Sequence, residues 1–176
     1  METFTYKEIL QQPSCWIKEY EVLLEEKTRI QAFLEKYLTN ETDIVLTGAG
    51  TSAFIGDAIA PLLRGVWKNV RAVATTDIVT NAADYLVADK PLLLISFARS
   101  GNSPESVAAV NLANAICKNV AHIYITCNKN GHLAQSANAE NILSLLLPEE
   151  TDDKSLAMTS SFSTMLLTCL MISQID

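Results

Sequence analysis

Metal-binding side chains are scarce in this chain. Its only histidines are His122 and His132, and its four cysteines, Cys15, Cys117, Cys127 and Cys169, form no Cys-x-x-Cys pair. No zinc spacing arises from such a set, so no metal is expected, and the thiols read as buried and free in a reducing compartment. Basic charge is also short. Thirteen Lys and Arg stand against 20 Asp and Glu, a formal net charge of −7. A surface of that sign excludes non-specific nucleic-acid binding and attachment to anionic membranes. Apolar runs such as Leu92–Ile95 and Met165–Ile172 fall far short of the roughly 20 residues that span a bilayer. The start, Met1-Glu-Thr-Phe-Thr-Tyr-Lys7, is polar and leads into no apolar signal stretch. Asn40-Glu-Thr42 fits the glycosylation pattern, but nothing else points to secretion, and the expected location is cytoplasmic. Internal repeats and low-complexity tracts are lacking too.

What remains is ample core material. Hydrophobic residues make up 49% of the 176 and charged residues 19%, a balance that excludes intrinsic disorder. At roughly 150 residues per domain, one domain is expected. Up to Leu38 the pattern is helical: Ser14 reads as a cap before apolar positions Ile17, Tyr20, Leu23, Leu24, Ile30, Phe33, Leu34 and Tyr37. From Asp43 short apolar runs alternate with helical stretches. Ile44–Leu46, Val70–Ala74, Pro91–Phe97, Ala121–Thr126 and Ile142–Leu147 read as strands; Ser52–Val66, Ser103–Cys117, Leu133–Ala137 and Ala157–Ile172 read as helices. Strands apolar along their whole length are buried on both faces. The expected fold is therefore α/β, a three-layer doubly wound sandwich with about five parallel strands in flavodoxin-like order. A barrel would need about 250 residues. Residues 1–42 form the expected helical segment and 43–176 the expected α/β domain.

In such a sheet ligands bind at the carboxyl ends of the strands, where helix N-termini gather. Three strand-to-helix loops share glycine and hydroxyl residues. The first is Gly48-Ala-Gly50-Thr51-Ser52; its glycines permit a sharp turn and close approach of a ligand to free N–H groups. A plain tight turn capped by Ser52 is the alternative. The second is Ser96-Phe-Ala-Arg99-Ser100-Gly101-Asn102-Ser103-Pro104-Glu105-Ser106. Capping accounts for Ser103 before Pro104, but not for Arg99, Ser100, Gly101 and Asn102, which together suit a phosphate oxyanion. Glu105 would repel phosphate unless it points away. The third is Thr159-Ser160-Ser161-Phe162-Ser163-Thr164; alone it reads as a cap, with the others as a third set of donors. Together they suit a phosphate monoester held by hydrogen bonds without a metal or other cofactor.

Gly48–Ser52, Ser96–Ser106 and Ala157-Met-Thr-Ser-Ser161 resemble the three phosphosugar-binding loops of a SIS (sugar isomerase) domain. The stretches Leu46-Thr-Gly-Ala-Gly-Thr-Ser-Ala-Phe-Ile-Gly-Asp57 and Pro91-Leu-Leu-Leu-Ile-Ser96 are similar to one subfamily, the bacterial tagatose-6-phosphate ketose/aldose isomerases, also described as galactosamine-6-phosphate deaminase/isomerases. The similarity covers most of the chain, including Gln12-Pro13 and Trp16-Ile17. It implies contacts to phosphate and sugar at Gly50, Thr51, Ser52, Ser100, Ser103 and Thr159, with Arg99 and Ser160 as further candidates. Arg99 stands where the related isomerase domain of glucosamine-6-phosphate synthase has glutamine, and Ala98 where it has serine. Such isomerases carry two SIS domains, with the proton-shuttling glutamate and a ring-opening His-Gly-Pro histidine in the second. No His-Gly-Pro occurs here, so the chain is expected to be the N-terminal half of an enzyme, binding sugar phosphate without turning it over. His122 reads as a core histidine, and His132 as a loop residue that could approach a ligand. No catalytic residue is assigned. A homodimer or higher homo-oligomer is expected. Two rivals remain: a non-catalytic sugar-phosphate sensor, and a dinucleotide-binding domain using Gly48-x-Gly50-x-x-Ala53 with Asp77 on the ribose.

Overall fold

The structure, a computed structural model, describes residues 3–175. The chain begins with a long helix, α1 (Phe4–Tyr37), capped by Thr3, whose hydroxyl accepts the Tyr6 N–H at 3.3 Å. The helix thus starts well before Ser14 and runs through Pro13. Proline has no N–H to give the Ile9 carbonyl; the Gln12 side-chain amide donates to that carbonyl instead, at 3.0 Å. Ser14 does not cap; its hydroxyl donates to the Gln11 carbonyl inside the helix. The inner face also differs from the expected stripe. Leu23, Ile30 and Phe33 are buried, but so are Glu8, Cys15 and Glu19, while Ile17, Tyr20 and Leu24 face outward.

Five parallel strands follow: β1 (Asp43–Gly48), β2 (Val70–Ala72), β3 (Leu92–Ala98), β4 (Val120–Thr126) and β5 (Ile142–Leu146). Their spatial order is β2-β1-β3-β4-β5, the flavodoxin-like order. Register aligns Ile44 with Leu93 and Thr47 with Ser96 across β1 and β3. Every residue of β1 and β3 is buried, as expected when helices cover both faces. Alternate side chains feed two cores. Ile44, Leu46, Leu93, Ile95, Ile123 and Ile125 meet α1, α2 (Ala53–Leu63) and α7 (Ser160–Ile172). Val45, Leu94 and Tyr124 pack with Ile78, Ala109, Ala113 and Leu133. Those four come from α3 (Thr75–Thr80), α5 (Pro104–Ile116) and α6 (His132–Gln135). Between β2 and β3 lie two helices the sequence pattern did not announce, α3 and the single turn α4 (Ala82–Tyr85). Both are too short for a helical period to stand out. His122 is fully buried beside Asn114, its Nε2 2.9 Å from that amide oxygen, and burial lowers its pKa to about 4. All four cysteines are buried and free.

Candidate functional site

The connections leaving β1 and β3 start from neighbouring strands at the point where the strand order reverses, the place where open α/β sheets form a crevice. The first loop tightens into a 3-10 turn over Gly50–Ser52 before α2. A side chain at Gly48 would press to 2.6 Å of the Ser52 backbone, and Gly50 has φ of +55°. Both positions therefore need glycine. Below them the Thr75 hydroxyl donates to the Gly48 carbonyl at 3.1 Å.

The second loop runs from Arg99 to Ser103, with Gly101 at φ +66°. Ser103 caps α5, its hydroxyl accepting the Ser106 N–H at 3.3 Å and lying 2.7 Å from the Ser106 hydroxyl. The loop rests on the segment after β4. Asn128 Nδ2 donates to the Ser100 carbonyl at 3.1 Å, Leu133 N–H to the Gly101 carbonyl at 3.2 Å, and His132 N–H to Asn102 Oδ1 at 2.8 Å. Gly131 packs directly against the Ser100 carbonyl. Sequence reasoning missed this buttress. Most of its contacts involve backbone atoms, which leave no residue-type signature.

Ser52, Arg99, Ser100 and Ser103 line one cavity of about 140 Å³, together with Gly101, Ser106 and Met158. Gly50 and Thr51 sit at the exposed tip of the first loop beside it. The third loop behaves differently from expectation. Asp153 takes up the N-terminus of α7: its carboxylate accepts the N–H groups of Thr159 and Ser161 at 2.8 and 2.9 Å, and the hydroxyls of Ser160 and Ser161. Burial would raise the Asp153 pKa, but these hydrogen bonds outweigh it and hold the carboxyl below the usual aspartate value. Ser160 is accordingly buried, spent on Asp153 and on the Gln11 amide at 2.9 Å, and lies outside the cavity lining. Thr159 is half-buried, its hydroxyl 3.4 Å from Asp153. Met158 is the residue of this loop that reaches the cavity, its sulfur 3.7 Å from the Ser52 hydroxyl.

Arg99 spans the second and third loops: its Nη1 donates to the Ser155 carbonyl at 3.0 Å. Ser155 is in turn held by α1. Glu8 accepts the N–H groups of Lys154 and Ser155 at 2.7 and 3.2 Å and the Ser155 hydroxyl. Asp77 lies in the first turn of α3, past the end of β2 at Ala72 and exposed, so it is not the strand-end acid of a dinucleotide site. Among the described residues no carboxylate or imidazole lines the cavity. The site offers hydroxyl and guanidinium donors and helix N-termini, a set whose chemistry suits an oxyanion.

A family model described as the SIS domain matches residues 37–173. The D-galactosamine-6-phosphate deaminase AgaS of Escherichia coli is 53% identical over 173 residues, 97% of this chain and 45% of the relative. The AgaS of Shewanella sp. (strain ANA-3) is 46% identical over 175 residues, 96% of this chain and 45% of the relative. The crystal structure of tagatose-6-phosphate ketose/aldose isomerase from Escherichia coli superposes with a TM-score of 0.94 at 52% identity, over 97% of this chain and 47% of that one. The chain thus spans about half the length of the curated relatives it matches.

Proposed function

The chain belongs to the SIS domain family, and from that premise we propose that its loop cavity cradles the phosphate of a sugar phosphate. The observation that carries this reading is the convergence of Ser52, Ser100, Ser103 and Arg99 on one cavity at the switch point of the sheet. Gly50 and Thr51 at the tip of the first loop, and Thr159, which follows the cavity residue Met158 in the chain, are the further contacts proposed for the sugar. The names of the relatives favour tagatose 6-phosphate or galactosamine 6-phosphate as the substrate class, and aldose–ketose isomerisation or deamination as the reaction. In this reading the domain, placed at residues 43–176 behind a helical segment at 1–42, anchors the substrate. Acid and base come from outside the cavity lining. An anchored phosphate accelerates reaction only when its binding energy is coupled to groups at the reacting carbon, so the chain alone should bind without turnover. A cytoplasmic location goes with the four free thiols, and a homodimer is the assembly proposed.

Titration calorimetry with tagatose 6-phosphate and galactosamine 6-phosphate, followed by assays of ketose–aldose conversion and ammonia release, tests the reading. Ser100→Ala should weaken binding by about 1.5–3 kcal/mol, the worth of a hydrogen bond to a charged group. Ser103→Ala should do the same, but it also removes the α5 cap, at about 1 kcal/mol of stability. Ser100 is therefore the cleaner probe. Equal affinity in wild type and Ser100→Ala would remove the second loop from the site. Ordinary turnover by the purified chain would show that the acid and base had been overlooked.

A further inference from the structure

The turn that buttresses the second loop contains an Asn-Gly pair, Asn130-Gly131, which occurs nowhere else in the chain. Such a pair is open to attack on the asparagine side chain by the next backbone nitrogen, because glycine has no side chain to block the approach. Asn130 is exposed, and its side-chain amide makes no hydrogen bond among the described residues. The Asn102 amide, next to Ser103, is by contrast fixed by the His132 N–H at 2.8 Å. What holds Gly131 back is the turn itself. Its N–H donates to the Asn128 carbonyl at 3.0 Å. The Asn128 side chain clamps the turn from both ends: Oδ1 accepts the Asn130 N–H at 2.9 Å, and Nδ2 donates to the Ser100 carbonyl at 3.1 Å. An exposed turn held by so few bonds opens locally at small free-energy cost.

We propose that Asn130 is a site of spontaneous deamidation, and that its isoaspartate form releases the second loop from its buttress. In the opened turn the Gly131 nitrogen bonds to Asn130 Cγ, the Cγ–Nδ2 bond breaks, and the side-chain nitrogen leaves as ammonia, taking up the Gly131 amide proton. The product is a cyclic succinimide, which water then opens. Opening at Cγ restores the normal main chain with an aspartate side chain. Opening at the former main-chain carbonyl leaves Gly131 joined to Cγ, so the main chain runs through the side chain with a free carboxylate beside it. That path is longer by a carbon–carbon bond, about 1.5 Å. The buttress has no room for it. A Cβ at Gly101 would already meet the Gly131 Cα at 3.4 Å, and one at Gly131 would press on the Ser100 carbonyl oxygen. The N–H groups of His132 and Leu133, which hold Asn102 and Gly101, follow directly after Gly131 in the chain and move with it. The inference does not depend on the sugar-phosphate reading, since every group in it belongs to the chain.

Incubation of the full chain at pH 8, with peptide mapping by mass spectrometry and isoaspartyl methyltransferase labelling, tests the site. Asn130 should lose its amide faster than any other asparagine, and Asn130→Gln should stay unmodified with its melting curve unchanged. Asn128→Ala, which removes the clamp, should speed the conversion several-fold. An Asn130 that stays intact, or a rate indifferent to Asn128, overturns the proposal. The isoaspartate form carries an added negative charge and separates by ion exchange. Hydrogen exchange on that fraction should show His132 and Leu133 losing protection, while Asn130→Asp, with the charge but the normal main chain, keeps it. Protection retained in the isoaspartate fraction, or lost equally in Asn130→Asp, overturns the release of the loop. On the sugar-phosphate reading, the fraction should also bind tagatose 6-phosphate several-fold more weakly than Asn130→Asp. Equal binding by a fraction whose protection is lost would strike that reading and leave the proposal standing.

Discussion

A methyl group added at Gly131 would fall inside contact distance of the Ser100 carbonyl oxygen and 3.1 Å from the Gly101 Cα. Its backbone is ordinary for any residue, with φ of −68°, so the demand for glycine is one of space alone. Both neighbours are backbone atoms of the second loop and cannot swing aside as a side-chain tip could. Gly131→Ala should therefore push Ser100 and Gly101 out of place. The cost in stability should be that of overpacking, about 1–3 kcal/mol, and sugar-phosphate affinity should fall with it although residue 131 does not line the cavity. Calorimetry and a melting curve on this one variant read both effects. Unchanged affinity with a lowered melting temperature would show that the loop adapts, and that the buttress supports the fold and not the site. The neighbouring glycine, Gly101, has the opposite character: its need is for a positive φ, which side-chain-bearing residues enter only with strain.

Among the elements, α1 links the outside of the molecule to the cavity. Glu8 in its second turn fixes Lys154 and Ser155, and the Ser155 carbonyl fixes Arg99. Glu8 is 5% exposed, while the two N–H groups it accepts are only part-buried, so Glu8→Ala leaves them to water, at less than the cost of about 1–3 kcal/mol each that a fully buried orphan carries. Hydrogen exchange should show Lys154 and Ser155 losing protection in Glu8→Ala, with Glu8→Gln intermediate because its amide oxygen still accepts. Protection unchanged at both amides would sink the link. The same elements show what a sequence makes legible. Strands β1, β3 and β4 stand out because a strand buried on both faces must be apolar throughout, and α5 because Ser103-Pro104 is a helix start by its own chemistry. The beginning of α1 did not stand out. Pro13 looks like a breaker until Gln12 is seen serving the abandoned carbonyl, and an inner face holding Glu8, Gln11 and Glu19 looks like a solvated one. In the third loop the run of hydroxyls was visible, but its partner was not. Asp153, upstream in an acidic loop, takes the donors of Ser160 and Ser161, and only the folded chain brings it to the start of α7. The convergence of Ser52, Ser100 and Ser103 was legible because strand order and loop composition together determine it.

For the molecule as a whole, two buried carboxyls set opposite limits on stability as pH changes. Glu19 lies between α1 and α7, where burial raises its pKa from 4.5 to about 7 and the hydrogen bond with Thr168 only partly offsets this. Thr168 Oγ1 is 2.7 Å from Glu19 Oε1 and 2.9 Å from the Thr164 carbonyl. Its single proton can serve one of them at a time. A protonated Glu19 resolves the conflict by donating to Thr168 while Thr168 donates to the carbonyl, so the neutral acid suits the fold. A group with a raised folded pKa favours the native state fully below its unfolded value and loses that contribution as pH rises through the folded one. A move from 4.5 to about 7 corresponds to about 3 kcal/mol, lost across that interval. Asp153 has the opposite sign. Its folded pKa lies below the usual 3.8, so its contribution is present above that value and lost as pH falls through the lower one. The net charge of −7 at pH 7 adds self-repulsion on the alkaline side. Thermal unfolding should accordingly show greatest stability between about pH 4 and 5 and a decline toward neutrality. Glu19→Gln keeps the shape and the acceptor but cannot ionise, so it should raise the melting temperature at pH 8 and flatten the profile above pH 5, leaving the acid limb set by Asp153 in place. Parallel profiles for the two proteins would mean that Glu19 is hydrated and charged in the native state, and that α1 and α7 do not close over it as tightly as their contacts indicate.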